Sequence, residues 1–167
     1  AEGEHKYELD ETTGMLVCEN CLETVELSAY NGLYYAGEEL YYVIFGNPVT
    51  GWSEVNGAYY YFDPATGAAV DGEQTIDGWG YTFRNNILVN GTWFEDKFGT
   101  CLMWAGSKHP SGFDTIDGKT YCFKAQSCDI YKGFANVKFA HGENLGWYWF
   151  DDNGALVAKM ENGLYGP

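Results

Sequence analysis

Cys18-Glu-Asn-Cys21 sets two thiols on one knuckle of chain, the arrangement in which a tetrahedral zinc ion takes two thiolates. His5 lies upstream and can return across a hairpin as a third ligand, with Glu4 or Glu19 as a fourth. Three readings of the pair stand open: a disulfide or free thiols, a zinc site, and a redox couple, for which no βαβ context exists here. Cys101, Cys122 and Cys128 complete an odd set of five, so internal pairing leaves at least one thiol over. Cys122 and Cys128 flank a turn, where a disulfide depends on strand-register geometry. His109 and His141 stand beside Pro110 and Gly142 in apparent loop insertions, and read as surface histidines rather than catalysts. The acids of Glu8–Glu11 and Asp151-Asp152 invite comparison with glycoside hydrolysis, but that chemistry needs two carboxyls held at a set separation across a cleft. Turns and solvated faces account for them better. Asp151-x-Asn153-Gly154 lacks the later ligands of a calcium loop, and no Gly-x-Ser-x-Gly, phosphate loop or dinucleotide fingerprint is present. The residues therefore point away from an enzyme.

Composition narrows the partners. Acids outnumber bases 24 to 9, and the net charge of −15 repels phosphate backbones and anionic lipid, which excludes nucleic acid. The densest apolar run, Leu40 to Phe45, is far short of the roughly 18 residues that span a bilayer, so no membrane insertion is expected. Ala1 stands where Met would, without a charged-then-apolar leader behind it, and reads as a mature or trimmed fragment. With 14 Tyr, 10 Phe, 6 Trp and 22 Gly, the chain pairs rings that suit pleated surfaces with residues that suit tight turns.

The elements that must position these residues emerge from an internal repeat. Asn56-Gly57, Asp77-Gly78 and Asp117-Gly118 each precede a Tyr-x-Phe: Tyr60 and Phe62, Tyr81 and Phe83, Tyr121 and Phe123. Poorer copies run from Gly91 and Gly133, and a degenerate one spans Gly37 to Phe45. An Asn-Gly or Asp-Gly pair between alternating residues predicts a type I′ hairpin turn, which needs positive φ at both central positions. Two-residue spacing then sends each Tyr and Phe to one strand face. About six hairpins stacked together bury those rings as one core, since a lone hairpin is marginal in water. Asp63–Gly67 and Asp151–Gly154 turn the chain toward the next unit, Thr13-Gly14 closes a separate N-terminal hairpin, and helix is minor. Two-thirds or more of the rings are expected in the core. The expectation is an all-β hairpin-repeat solenoid over residues 31–167, behind a small Cys-x-x-Cys hairpin segment over residues 1–30.

Gly51-Trp52, Gly57, Tyr59 to Phe62, Gly67 and Gly72 together resemble the cell-wall-binding repeat family, which includes choline-binding, glucan-binding and clostridial toxin repeats. The resemblance runs from about Gly32 to Gly163. It implies an extracellular, non-catalytic module at the surface of a Gram-positive bacterium, attaching a larger exported protein to wall teichoic acid, choline or glycan. The family's cages use the Trp of Gly-Trp, an aromatic two residues after the turn Gly, and a ring from the next repeat; quaternary ammonium is attracted to such ring faces. By that pattern Trp52 and Tyr59 form the ligand contact, Trp79 its third wall, and Phe134 and Trp147 a second candidate. Other copies depart from it: Glu73 and Gly80 stand at the cage positions of one, Phe113 and Thr120 at those of another. At most two cages are buildable, which leaves a structural spacer that has lost its cages as the alternative.

Overall fold

A computed structural model describes residues 5–138 and 145–160; Glu4, His141 and the end of the last repeat lie outside the described residues. Strands β1 (Tyr7–Asp10) and β2 (Met15–Cys18) pair antiparallel from Tyr7↔Cys18 to Asp10↔Met15. Gly14 closes their loop at φ +76°, its N–H donating to the Asp10 carbonyl at 2.7 Å. β3 (Thr24–Glu26) follows, then a 3₁₀ turn over Leu27–Ala29, the one helical segment among the described residues. β4 (Asn31–Ala36), β5 (Glu39–Ile44) and β6 (Asn47–Pro48) complete a six-stranded sheet, in which β4 lies parallel to β1. The N-terminal segment and the first repeat hairpin thus share one sheet.

Five more hairpin units follow. They are β7 (Gly51–Val55) with β8 (Ala58–Phe62); β9 (Gly72–Ile76), β10 (Trp79–Arg84) and β11 (Ile87–Asn90); and β12 (Thr92–Glu95), β13 (Thr100–Trp104) and β14 (Ser107–Lys108). The last two are β15 (Gly112–Ile116) with β16 (Lys119–Phe123), and β17 (Gly133–Val137), β18 (Gly146–Phe150) and β19 (Leu156–Lys159). The chain is an all-β array of antiparallel hairpins, as the repeat requires. It divides into two compact units, one comprising residues up to Gln74 with Phe83–Leu88, the other Thr75–Thr82 with residues from Val89 onward.

Turn chemistry sets the hairpins. Asn56-Gly57, Asp77-Gly78 and Asp117-Gly118 all hold positive φ at both residues, as the type I′ reading demands. Phe45-Gly46, Asn85-Asn86 and Ala105-Gly106 do the same without the Asn/Asp-Gly signature. Side chains cap the connecting turns: Asp63 Oδ1 accepts from the Ala65 amide at 2.7 Å, and Asp151 Oδ1 from the amides of Asn153 and Ala155 at 2.9 and 2.8 Å.

Tyr60, Phe62, Tyr81, Phe83, Tyr121 and Phe123 are all buried, none more than 9% exposed. Within each unit a ring of one hairpin stacks on the Tyr-x-Phe phenylalanine of a later one. In the first unit Tyr42 lies on Phe62 (5.9 Å between centroids) and Trp52 on Phe83 (5.8 Å). In the second, Trp93 lies on Phe123 (6.1 Å) and Phe113 on Phe150 (6.5 Å). Backbone bonds reinforce the stacking, with the Ala69 amide on the Leu40 carbonyl and the Ile130 amide on that of Thr100. The burial of rings is less complete than the sequence suggested. Among the described residues eleven are buried and most of the others are half-buried.

His109 departs from its expected surface position. It is 4% exposed, stacked on Phe123 at 4.0 Å, with Nδ1 at 2.8 Å from the Pro110 carbonyl and Nε2 at 2.8 Å from the Asp114 carboxylate. The imidazole occupies a ring position of the repeat core, with an oxygen within hydrogen-bond distance of each ring nitrogen. All five cysteines are free thiols, Cys122 buried in β16 and Cys128 in the following turn.

Candidate functional site

Three sets of side chains gather chemistry-bearing groups, the first within one unit, the third within the other, and the second with members in each. The first is the N-terminal knuckle. Pairing of β1 with β2 brings the residue before Lys6 alongside the chain leaving Cys18, and the Glu19 amide bonds the Lys6 carbonyl at 2.8 Å. The chain then folds back through Leu22, at φ +65°, whose amide returns to the Cys18 carbonyl at 2.9 Å. His5 Nδ1 consequently lies 3.3 Å from Cys18 Sγ and 3.5 Å from Cys21 Sγ. Glu23 Oε1 sits 3.9 Å from His5 Nε2 and 4.0 Å from Cys21 Sγ. Burial works against ionisation of Cys18, but hydrogen bonds from His5 and the Cys21 and Asn20 backbone outweigh it and lower the thiol to about 6. The same Cys18 contact raises His5 above its ordinary value. The three residues expected from sequence are therefore brought together. Of the suggested fourth ligands, Glu19 turns instead to Lys6 Nζ at 3.6 Å, because its backbone is paired with that residue.

The second set is the outer face of the hairpins. Register places Trp52 opposite Tyr61 and Glu54 opposite Tyr59, so these four side chains share the face of β7 and β8 turned from the Tyr60–Phe62 core. Trp52 meets Tyr61 edge-on at 5.1 Å while its plane stacks on Phe83. Trp79 belongs to the other unit, where it packs on Phe94 at 5.1 Å. Phe134 and Trp147 do come together, stacked at 4.9 Å on the outer face of β17 and β18, with Trp149 6.3 Å from Phe134.

The third set is a cleft of about 520 Å³ lined by Phe98, Lys124, Ala125, Gln126, Ser127 and Tyr131. Its walls are two loops. Asp96 Oδ1 accepts from the amides of Phe98 and Gly99 at 2.8 and 3.1 Å, and Asp96 also pairs with Lys108. Lys108 foremost, then those amides, hold the Asp96 carboxyl well below the usual carboxylate range. On the opposite wall Asp129, only 3% exposed, pairs with Lys124 at 2.9 Å and accepts from the Ser127 hydroxyl. Phe98 is left 56% exposed. Lysine ammonium groups already face the rings: Lys97 and Lys108 lie 5.1 and 5.9 Å from the Phe98 centroid, and Lys124 lies 5.4 Å from that of Tyr131. Sequence reasoning missed this cleft, because Phe98 sits in the least regular repeat. The signal that marks it is lysine clustering, since Lys97, Lys108, Lys124 and Lys132 are four of only nine bases.

No family model matches the chain. Over 115 aligned positions, which cover 60% of the chain, it is 33% identical to Toxin A of Clostridium novyi, of whose length it spans 5%. Among solved structures, choline-binding protein F of Streptococcus pneumoniae is 22% identical, covering 77% of this chain and 42% of that one at a TM-score of 0.36. CbpJ of the same species is 18% identical over 89% of this chain and 58% of its own, at 0.37. In its repeat sequence and its hairpin units, this chain is similar to the cell-wall-binding repeat proteins.

Proposed function

We propose that the chain is a non-catalytic binding module of an exported protein, attaching it to a carbohydrate polymer of a cell wall or cell surface. The observation that carries this reading is the Phe98–Tyr131 cleft. It offers exposed ring surface beside the amide of Gln126, the hydroxyl of Ser127 and the ammonium of Lys124, and sugars bind by laying C–H faces on rings edged by polar groups. The lysines over its rings oppose a quaternary ammonium, so the cleft suits a neutral or acidic sugar. The strip of Trp52, Tyr59 and Tyr61 differs in charge: Glu54 stands among its rings and favours a cationic headgroup such as choline. Phe134 and Trp147 extend the aromatic surface of the second unit.

The test is a glycan and wall-polymer array with the full chain, beside a choline-resin pull-down. Phe98→Ala is expected to weaken glycan binding at least tenfold with an unchanged far-UV spectrum, and free choline not to compete at the cleft. Trp52→Ala is expected to abolish any choline-induced quench of tryptophan fluorescence while glycan binding persists. If the parent chain captures neither glycan, teichoic acid nor choline, the repeats act as a spacer and the binding reading fails.

A further inference from the structure

We infer that His5 Nδ1, Cys18 Sγ and Cys21 Sγ bind one zinc ion, with Glu23 orienting His5 through Nε2 and solvent in the fourth position. Zinc–nitrogen and zinc–sulfur bonds of about 2.0 and 2.3 Å at a tetrahedral centre put nitrogen and sulfur about 3.5 Å apart. His5 Nδ1 is 3.3 and 3.5 Å from the two sulfurs, and all three donor atoms lie within 4.8 Å of one another. The donors need not gather on binding, because backbone pairing of β1 with β2 and the Leu22 turn already hold them together. Two thiolates and one imidazole are a borderline-soft set that suits zinc and disfavours calcium or magnesium, which take oxygen ligands.

Glu23 has a separate part. Its Oε1 lies 3.9 Å from Nε2, the ring nitrogen that does not face the sulfurs. A metal-bound histidine commonly gives its second N–H to a carboxylate, which selects the tautomer and the ring orientation. The face-on approach of the His5 and Tyr7 rings, 5.5 Å apart and 24° from parallel, supports the imidazole from a further side. Cys18 is buried, whereas His5, Cys21 and Glu23 are exposed, so the open corner of the tetrahedron faces water. The ion would tie the strand entering the N-terminal hairpin to the knuckle leaving it.

The experiment uses the full chain, reduced with a phosphine and freed of metal. Cobalt(II) added to one equivalent is expected to give thiolate charge-transfer absorption in the near ultraviolet and four-coordinate d–d bands in the visible, both removed by one equivalent of zinc. Cys21→Ser and His5→Ala are expected to weaken or lose these bands, while Cys128→Ser, which leaves the knuckle untouched, retains them. Glu23→Gln is expected to keep the four-coordinate spectrum and weaken zinc by about 10–100-fold. Far-UV spectra of each variant report whether the hairpins persist. Absence of the bands in reduced parent protein, or a parent-like spectrum and affinity in Cys21→Ser, overturns the site. Parent affinity in Glu23→Gln removes Glu23 from it.

Discussion

Asp96 shows how one side chain can shape a cleft without lining it. It fixes the loop that presents Phe98, through two amides, and holds Lys108 beside the same ring. Its carboxyl is held below the usual range in the folded chain, so its stabilisation is present above the unfolded value of about 3.9. That stabilisation is lost as pH falls through the folded value. Asp96→Asn is therefore expected to lower Tm at pH 7, with the deficit shrinking below about pH 4 as the carboxylate of the unfolded parent chain takes up protons while the folded one stays ionised. A deficit of the same size from pH 7 to pH 2 would show that packing rather than charge is responsible. The variant is also expected to weaken glycan binding, because Lys108 loses the charge that holds it beside Phe98, although an amide oxygen can still accept from the loop amides.

At the scale of the element, the turns carry the repeat, and their tolerance of side chains differs in a testable way. Gly67 and Cys128 close equivalent turns, each five residues after a core phenylalanine, Phe62 and Phe123, with φ of +80° and +63°. A left-handed residue with a Cβ costs about 1–2 kcal/mol. Cys128→Gly is expected to stabilise the chain by up to about 1 kcal/mol in urea unfolding, since glycine also gains freedom in the unfolded state. Gly154→Ala is expected to act oppositely and more strongly: φ is +89°, and an added Cβ would stand 2.2 Å from Ile130 Cδ1. Gly57→Ala supplies the comparison, with φ +84° and no atom within 4 Å of the added Cβ. If Gly57→Ala proved as costly as Gly154→Ala, backbone strain alone would explain both.

For the whole molecule, the governing feature is a net charge of −15 distributed over hairpins whose cores are aromatic. Self-repulsion on that scale works against the compact state and is screened by salt. Raising sodium chloride from 10 to 150 mM shortens the Debye length from about 30 to about 8 Å, and is expected to raise Tm by about 2–4 °C, equivalent to about 1 kcal/mol. A fall in Tm over that range would mean that paired charges such as Asp96–Lys108 and Asp129–Lys124 outweigh the general repulsion. The acidity also gives the lysine-rich cleft its contrast with the remaining surface.

Local chemistry alone determined the hairpins and their inward rings. Asn56-Gly57, Asp77-Gly78 and Asp117-Gly118 act within four residues, and strand alternation carries Tyr60 and Phe62 to one face regardless of what lies beyond. The His5, Cys18 and Cys21 grouping was legible for the same reason, since one short hairpin spans it. Glu23 was not, because its approach to His5 depends on the left-handed turn at Leu22, which no turn-forming residue type announces. Nor was the burial of His109, which follows from stacking on Phe123 fourteen residues away. Nor was the Phe98–Tyr131 cleft, whose lining comes from two loops separated by 26 residues from Phe98 to Lys124, each set by its own buried or half-buried aspartate. Spacing along a chain describes what neighbouring residues can do, whereas a cleft between loops exists only once the hairpins bearing them have packed.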